Sequence, residues 1–227
     1  MAPEEKGEMK SDHFQAREAF REYAEAVSKE TGIELDTECI FLGIAFPASE
    51  EGAGVANKYY GLKEGEGIEA RGIALRHSDA CSLVKSFQRD AAKLLLAAGS
   101  FRSGYAQSLT LLELYNKALE EGVPLGMLAI TKSLNKAPGE YKANAPHVAA
   151  YRKLLEHVRP GEGTGASAVT YVWTVTGPVP LQLAQESRIN LEKYSELLGM
   201  ALEEMVRGLV PGGMERKGLP VTTRGIS

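Results

Sequence analysis

A chain of 227 residues exceeds one typical domain and accommodates two compact units. Its 44% hydrophobic and 25% charged content is ordinary for a globular protein, and a net charge of −4 excludes a generally basic nucleic-acid coat. No apolar run nears the ~20 residues needed to span a bilayer, and the acidic, polar opening M-A-P-E-E-K-G-E is unlike a secretory signal, so a soluble cytoplasmic protein is expected.

The first predicted element is a helix over Asp12–Thr31, with Phe14, Ala19, Phe20, Tyr23, Ala24 and Val27 at helical spacing, Asp12 as its cap and Gly32 as its end. Strands are predicted over Glu38–Pro47, Val55–Lys63 and Ile68–Arg76, the last two paired antiparallel through a turn at Gly65–Gly67. Ser78 or Asp79 is placed to cap a long helix running to about Ala98, with Leu83, Val84, Phe87, Ala91, Leu94 and Leu95 inside. A further helix is predicted at about Ser103–Glu121, closed by Gly122 and Pro124, then a short strand or extended segment at Met127–Leu134. Val148–Val158 reads as helix and Ala168–Thr176 as the clearest strand, broken by G-P-V-P. A last helix spans about Leu191–Leu209. The order gives an α+β chain with a boundary near Gly99–Gly104 and helices dominating after it.

Charge is unevenly placed. Residues 31–70 carry eight acidic side chains against Lys58 and Lys63, whereas residues 132–159 carry Lys132, Lys136, Lys142, Arg152, Lys153 and Arg159 against Glu140 and Glu156. The basic stretch points to one face for a polyanion. Within it, Y-K-A-N-A-P-H-V at Tyr141–Val148 sets a tyrosine, a lysine and a histidine ahead of a helix start, where free N–H groups add positive potential. In N-K-Y-Y-G at Asn57–Gly61, strand alternation puts Lys58 and Tyr60 on one face and Tyr59 on the other.

Other signals fail on context. G-E-G-T-G at Gly161–Gly165 lacks the G-K-[ST] ending of a phosphate loop and precedes a strand, so it reads as a turn. No G-x-S-x-G elbow occurs. His13, His77, His147 and His157 have no ligand spacing, and E-L-D-T-E at Glu34–Glu38 reads as a solvated edge rather than a Mg2+ site. Cys39 and Cys81 stand far apart, as reduced structural thiols do.

Taken in order, N-K-Y-Y-G, the R-G-I-A-L of Arg71–Leu75, V-P-L-G-M-L-A-I-T-K-S-L at Val123–Leu134 and Y-K-A-N-A-P-H-V resemble the C-terminal part of archaeal family B DNA polymerases, from about residue 12 to about residue 210. The family's K-K-x-Y string has Asn57 in place of its first lysine, with Lys58 and Tyr60 kept. Its arginine-arginine-aspartate-tryptophan continuation is reduced to His77, Ser78, Asp79 and Ala80, while Lys85 and Gln88 stand in family places. The resemblance implies a leader (1–11), the C-terminal part of a palm (12–99) built of antiparallel strands and helices, and a mainly helical thumb (100–227).

It also implies DNA-binding roles. Lys58 and Tyr60 would reach the duplex near the primer end, Arg71 would lie beside them, and Tyr141, Lys142 and His147 would grip backbone phosphates with Lys132 adding charge. The family's metal-binding D-x-x-S-L-Y-P and D-T-D strings do not occur here, so no catalytic or metal-ligating residue is expected in this chain. Mg2+ is expected in a large subunit that carries those aspartates. The implied whole is a split polymerase, with this chain as its small, non-catalytic subunit, bound to the large subunit and to primer–template DNA. A stand-alone DNA-binding accessory protein is the alternative.

Overall fold

The computed structural model describes residues 12–35, 40–48, 57–65, 67–77, 79–98, 100–136, 140–141, 145–157, 167–185 and 187–209. Among them the chain is α+β, with six helices and two three-stranded antiparallel sheets.

The first sheet has the order β1-β2-β3, from β1 (Phe41–Ala45), β2 (Tyr59–Lys63) and β3 (Gly67–Arg71). Helix α1 (Asp12–Thr31) precedes it and is tied to its β2–β3 turn by an ion pair between Arg17 and Glu64. β3 stops at Arg71, short of the predicted Arg76, and residues Ala74–Arg76 form a 3-10 turn instead. The cause is Gly72, whose φ of +68° breaks the extended run and whose absent side chain lets Asn57 close in: a Cβ there would meet the Asn57 carbonyl at 2.8 Å.

Helix α2 (Ser82–Ala97) covers one face of this sheet, turning Leu83, Val84, Phe87, Ala91 and Leu95 inward as its periodicity predicts. Its N-cap is Cys81, not Ser78 or Asp79, and no side chain caps it; Asp79 is engaged elsewhere. Burial pushes the Cys81 thiol up, so it stays protonated and inert. Cys39 lies outside the described residues.

Helix α3 (Phe101–Glu121) begins two residues earlier than predicted because Ser100 caps it, its hydroxyl accepting the Ser103 N–H at 3.2 Å. After α4 (Leu125–Leu128), β4 (Ile130–Ser133) opens the second sheet. Helix α5 (Pro146–Leu155) starts on Pro146, a residue preorganised for a first turn.

The G-P-V-P string does not merely end β5 (Ala168–Thr174); it forms β6 (Gly177–Pro180), paired antiparallel to it. Two prolines are tolerated because β6 is an edge in the order β4-β5-β6. The second half therefore holds a full sheet where one clear strand, with a short strand or extended segment at Met127–Leu134, was expected.

Helix α6 (Leu191–Val206), capped by Asn190, packs on both α2 and α3. One hydrophobic core results, running from Ala45 and Tyr60 through Phe87 and Leu112 to Leu198, Leu202 and Val206. Buried Tyr194 links the layers: its hydroxyl donates to the Leu128 carbonyl at 2.8 Å and accepts the Trp173 N–H at 2.9 Å. Tyr194→Phe leaves both backbone groups unpaired, so urea unfolding is expected to show a loss of about 1–3 kcal/mol.

Candidate nucleic-acid interface

The residues expected to meet DNA fall into two groups. The first lies where β2 begins and β3 ends. Asn57 holds a φ of +66°, and Arg71 Nη1 donates to its Oδ1 at 3.4 Å, which fixes the entry to β2. Lys58 and Tyr60 do share one face, as alternation requires, but that face turns toward the last turn of α6.

Tyr60 is completely buried, and its hydroxyl donates to the Met205 carbonyl at 3.2 Å; burial drives its pKa far above the ordinary tyrosine range. The expectation that its ring reaches DNA therefore needs revision: this side chain holds the strand. Lys58, 13% exposed, sits 3.4 Å from the Glu204 carboxylate. Tyr59 takes the opposite face, its ring 6.1 Å from that of Phe41 and 6.3 Å from that of Phe46. Arg71 is exposed at the strand end.

The second group gathers on β4, the segment after it and the start of α5. The His147 ring meets Tyr141 edge-on at 5.7 Å between centroids. The Tyr141 hydroxyl accepts the Asn135 and Lys136 N–H groups at 2.9 and 3.2 Å, so this tyrosine shapes the backbone leaving β4. Partial burial, and then the nearby Lys132 ammonium, hold His147 below the ordinary histidine value of 6.5. Lys132 itself is ion-paired with Asp79, in the loop that enters α2. That hydrogen bond is the first cause of the lowered Asp79 pKa. Lys142 lies outside the described residues.

Sequence reasoning missed the acidic partners. Asp79 had been assigned to a cap, and Glu204 stands on a helix with no pattern to mark it. Both pair across long sequence separations, which no local spacing encodes. Among the described residues, no group of three or more His, Cys, Asp or Glu side chains is gathered to hold a metal ion. No helix there is long and apolar enough to cross a membrane.

"DNA polymerase 1" of Aeropyrum pernix is 26% identical over 196 residues, 84% of this chain and 20% of that protein. "DNA polymerase 1" of Saccharolobus solfataricus is 26% identical over 164 residues, 68% of this chain and 18% of that one. The chain thus spans about a fifth of the length of these curated relatives. The structure of the family B DNA polymerase from the hyperthermophilic archaeon Pyrobaculum calidifontis superposes with a TM-score of 0.62 at 24% identity, covering 82% of this chain and 24% of that one, a likeness of fold. The model of DNA polymerase family B matches residues 9–197, most of the sequence, and the chain belongs to that family.

Proposed function

We propose that this chain is the small subunit of a split DNA-directed DNA polymerase, completing the palm and supplying the thumb that grips primer–template duplex. The nucleotidyl transfer itself falls to a large subunit carrying the metal-binding aspartates. The observation that carries this reading is the outer face of the first sheet. Leu42, Ile44 and Phe46 are exposed there, at 41%, 41% and 61%, beside the rings of Phe41 and Tyr59. Helix α1 adds exposed Phe20 and Tyr23. An apolar sheet face of this kind is a liability in water and fits a covering partner.

In this reading the chain's work is positional. Lys58, Arg71, Lys132, Lys142 and His147 hold the duplex so that the 3′-hydroxyl is aligned in the partner's active site. Gel filtration of this chain with the aspartate-bearing chain tests the reading. A 1:1 complex that binds primer–template more tightly than either part supports it, and independent elution counts against it. Duplex binding by this chain alone, with no gain from the second chain, favours the accessory-protein alternative.

Two predictions concern the grip. Lys142→Ala is expected to lower the slope of log affinity against log salt by about one, the signature of a lost phosphate contact; fluorescence anisotropy at several salt concentrations reads it. The second concerns pH. His147 titrates below 6.5, pressed by burial and Lys132, so it is neutral at pH 7 and gains its charge only as the pH falls. Duplex affinity should therefore rise as pH drops below 6.5, and His147→Gln should flatten that rise. The depressed pKa also means that the unfolded chain binds the proton more readily, so folding stability is fullest above 6.5 and falls as the pH is lowered through the folded pKa.

A further inference from the structure

The last turn of α6, just past the residues that match the family, is joined by a set of polar bonds to the first sheet and the elements beside it. Three carbonyls at or just past this helix end are met from the other half of the chain. Gln88 Nε2 donates to Ala201 O at 3.0 Å, Tyr60 Oη to Met205 O at 3.2 Å, and the Ala48 N–H to Arg207 O at 2.8 Å.

Glu204 sits among them. Its Oε2 accepts the Ala74 N–H at 3.0 Å and Gln88 Nε2 at 3.2 Å, while its Oε1 faces Lys58 Nζ at 3.4 Å. Gln88 is wholly buried, and its own Oε1 accepts the Leu75 N–H. The carboxylate is thus clamped by two donors on one oxygen, with the other left for the lysine. A fixed anion near the negative end of a helix dipole makes a well-defined seat for one ammonium. Without it, a lysine with four rotatable bonds would sample many positions.

We propose that Glu204 is a positioning residue that seats the Lys58 ammonium for contact with the primer–template backbone, so that the end of the thumb's last helix sets where the palm lysine meets DNA. The inference rests on the reading of Lys58 as a duplex contact. It adds that the contact depends on a residue far away in sequence which does not itself touch DNA. Glu204→Gln suits the test, because the amide oxygen still accepts from Ala74 and Gln88 while the charge opposite Lys58 is removed.

The experiment is a double-mutant cycle on the full chain, with primer–template affinity read by anisotropy across a salt series and folding read by thermal melting. Glu204→Gln is expected to weaken binding about fivefold, a change equivalent to ~1 kcal/mol. Lys58→Met should weaken it at least as much and lower the salt slope by about one. In the Lys58→Met background, Glu204→Gln should change affinity no further, because its effect passes only through the lysine.

If Glu204→Gln binds as well as wild type or more tightly, or if its effect persists undiminished without Lys58, the positioning role is overturned while Lys58 keeps its own. A loss of affinity that merely tracks the unfolded fraction in the melts also overturns it. If Lys58→Met leaves both affinity and salt slope unchanged, the reading of Lys58 as a DNA contact fails, and the inference fails with it.

Discussion

Replacing Ile44 and Phe46 together by aspartate is expected to abolish primer extension by a mixture of this chain with the proposed aspartate-bearing partner, while the isolated chain keeps its melting temperature. Both side chains leave the sheet on the face away from α2, whereas Ala45 between them points into the core. Neither contributes much to the fold, so the substitutions cost the monomer little. At a covered face, each large apolar side chain contributes about 2 kcal/mol or more to binding, and each introduced carboxylate must also be desolvated without a pair. If the two sites acted independently, the combined loss would exceed 4 kcal/mol, about a thousandfold in affinity. As neighbours they will couple, so the double variant is the safer reading. Leu114→Asp, at an exposed position on α3, is the control and should extend primers normally. Full activity in the Ile44/Phe46 double variant would remove the outer sheet face from the interface.

Gly104→Val is expected to destabilise the chain by about 3 kcal/mol, lowering Tm by roughly 6–12 °C for a protein of this size. Gly104 lies where α3 crosses α2. A Cβ there would stand 2.6 Å from the Leu94 carbonyl oxygen and 2.7 Å from Leu95 Cα, both backbone atoms that cannot rotate away. Two effects oppose each other. Removing glycine from a helix interior gains up to about 1 kcal/mol in propensity, less for a β-branched residue, but separating two packed helices in a filled core costs more. The clash wins. Gly126→Ala separates the two effects, since nothing lies within 4 Å of a Cβ at that position and the change should be neutral or slightly stabilising. A Gly104→Val melting curve that overlays wild type would mean that α2 and α3 are not in this close contact.

How much of this was legible in the sequence depends on the range of the forces involved. Local patterns were reliable: Phe87, Ala91 and Leu95 repeat at helical spacing and are buried together, and the span of α1 agrees with its periodicity and its terminal Gly32. Boundaries moved where a single residue's geometry intervened, as at Gly72, or where sheet context overrode local chemistry, as at Pro178 and Pro180 on an edge strand. Alternation put Lys58 and Tyr60 on a common face correctly, yet it could not say what that face meets. The partner of Tyr60 lies 145 residues away, and periodicity carries no information at that distance. Similarly, the basic character of residues 132–159 was plain in the sequence, whereas the Asp79 carboxylate that holds Lys132 was not.

The two lysines now stand in comparable settings. Each is paired with a carboxylate from a distant part of the chain, Lys58 with Glu204 and Lys132 with Asp79. The second pair is the more exposed, at 43% for both side chains, and is correspondingly weak in water. On the proposed reading, a phosphate displaces Asp79 at small cost, which leaves Lys132 available to a duplex. The Lys58–Glu204 pair is the more enclosed, at 13% and 23%.

The most direct test of the central claim is primer extension with Mg2+ and dNTPs, using this chain alone, the aspartate-bearing family B chain alone, and an equimolar mixture. The account predicts strong synthesis in the mixture and little or none from either part. Equal synthesis by the second chain with and without this one would contradict it.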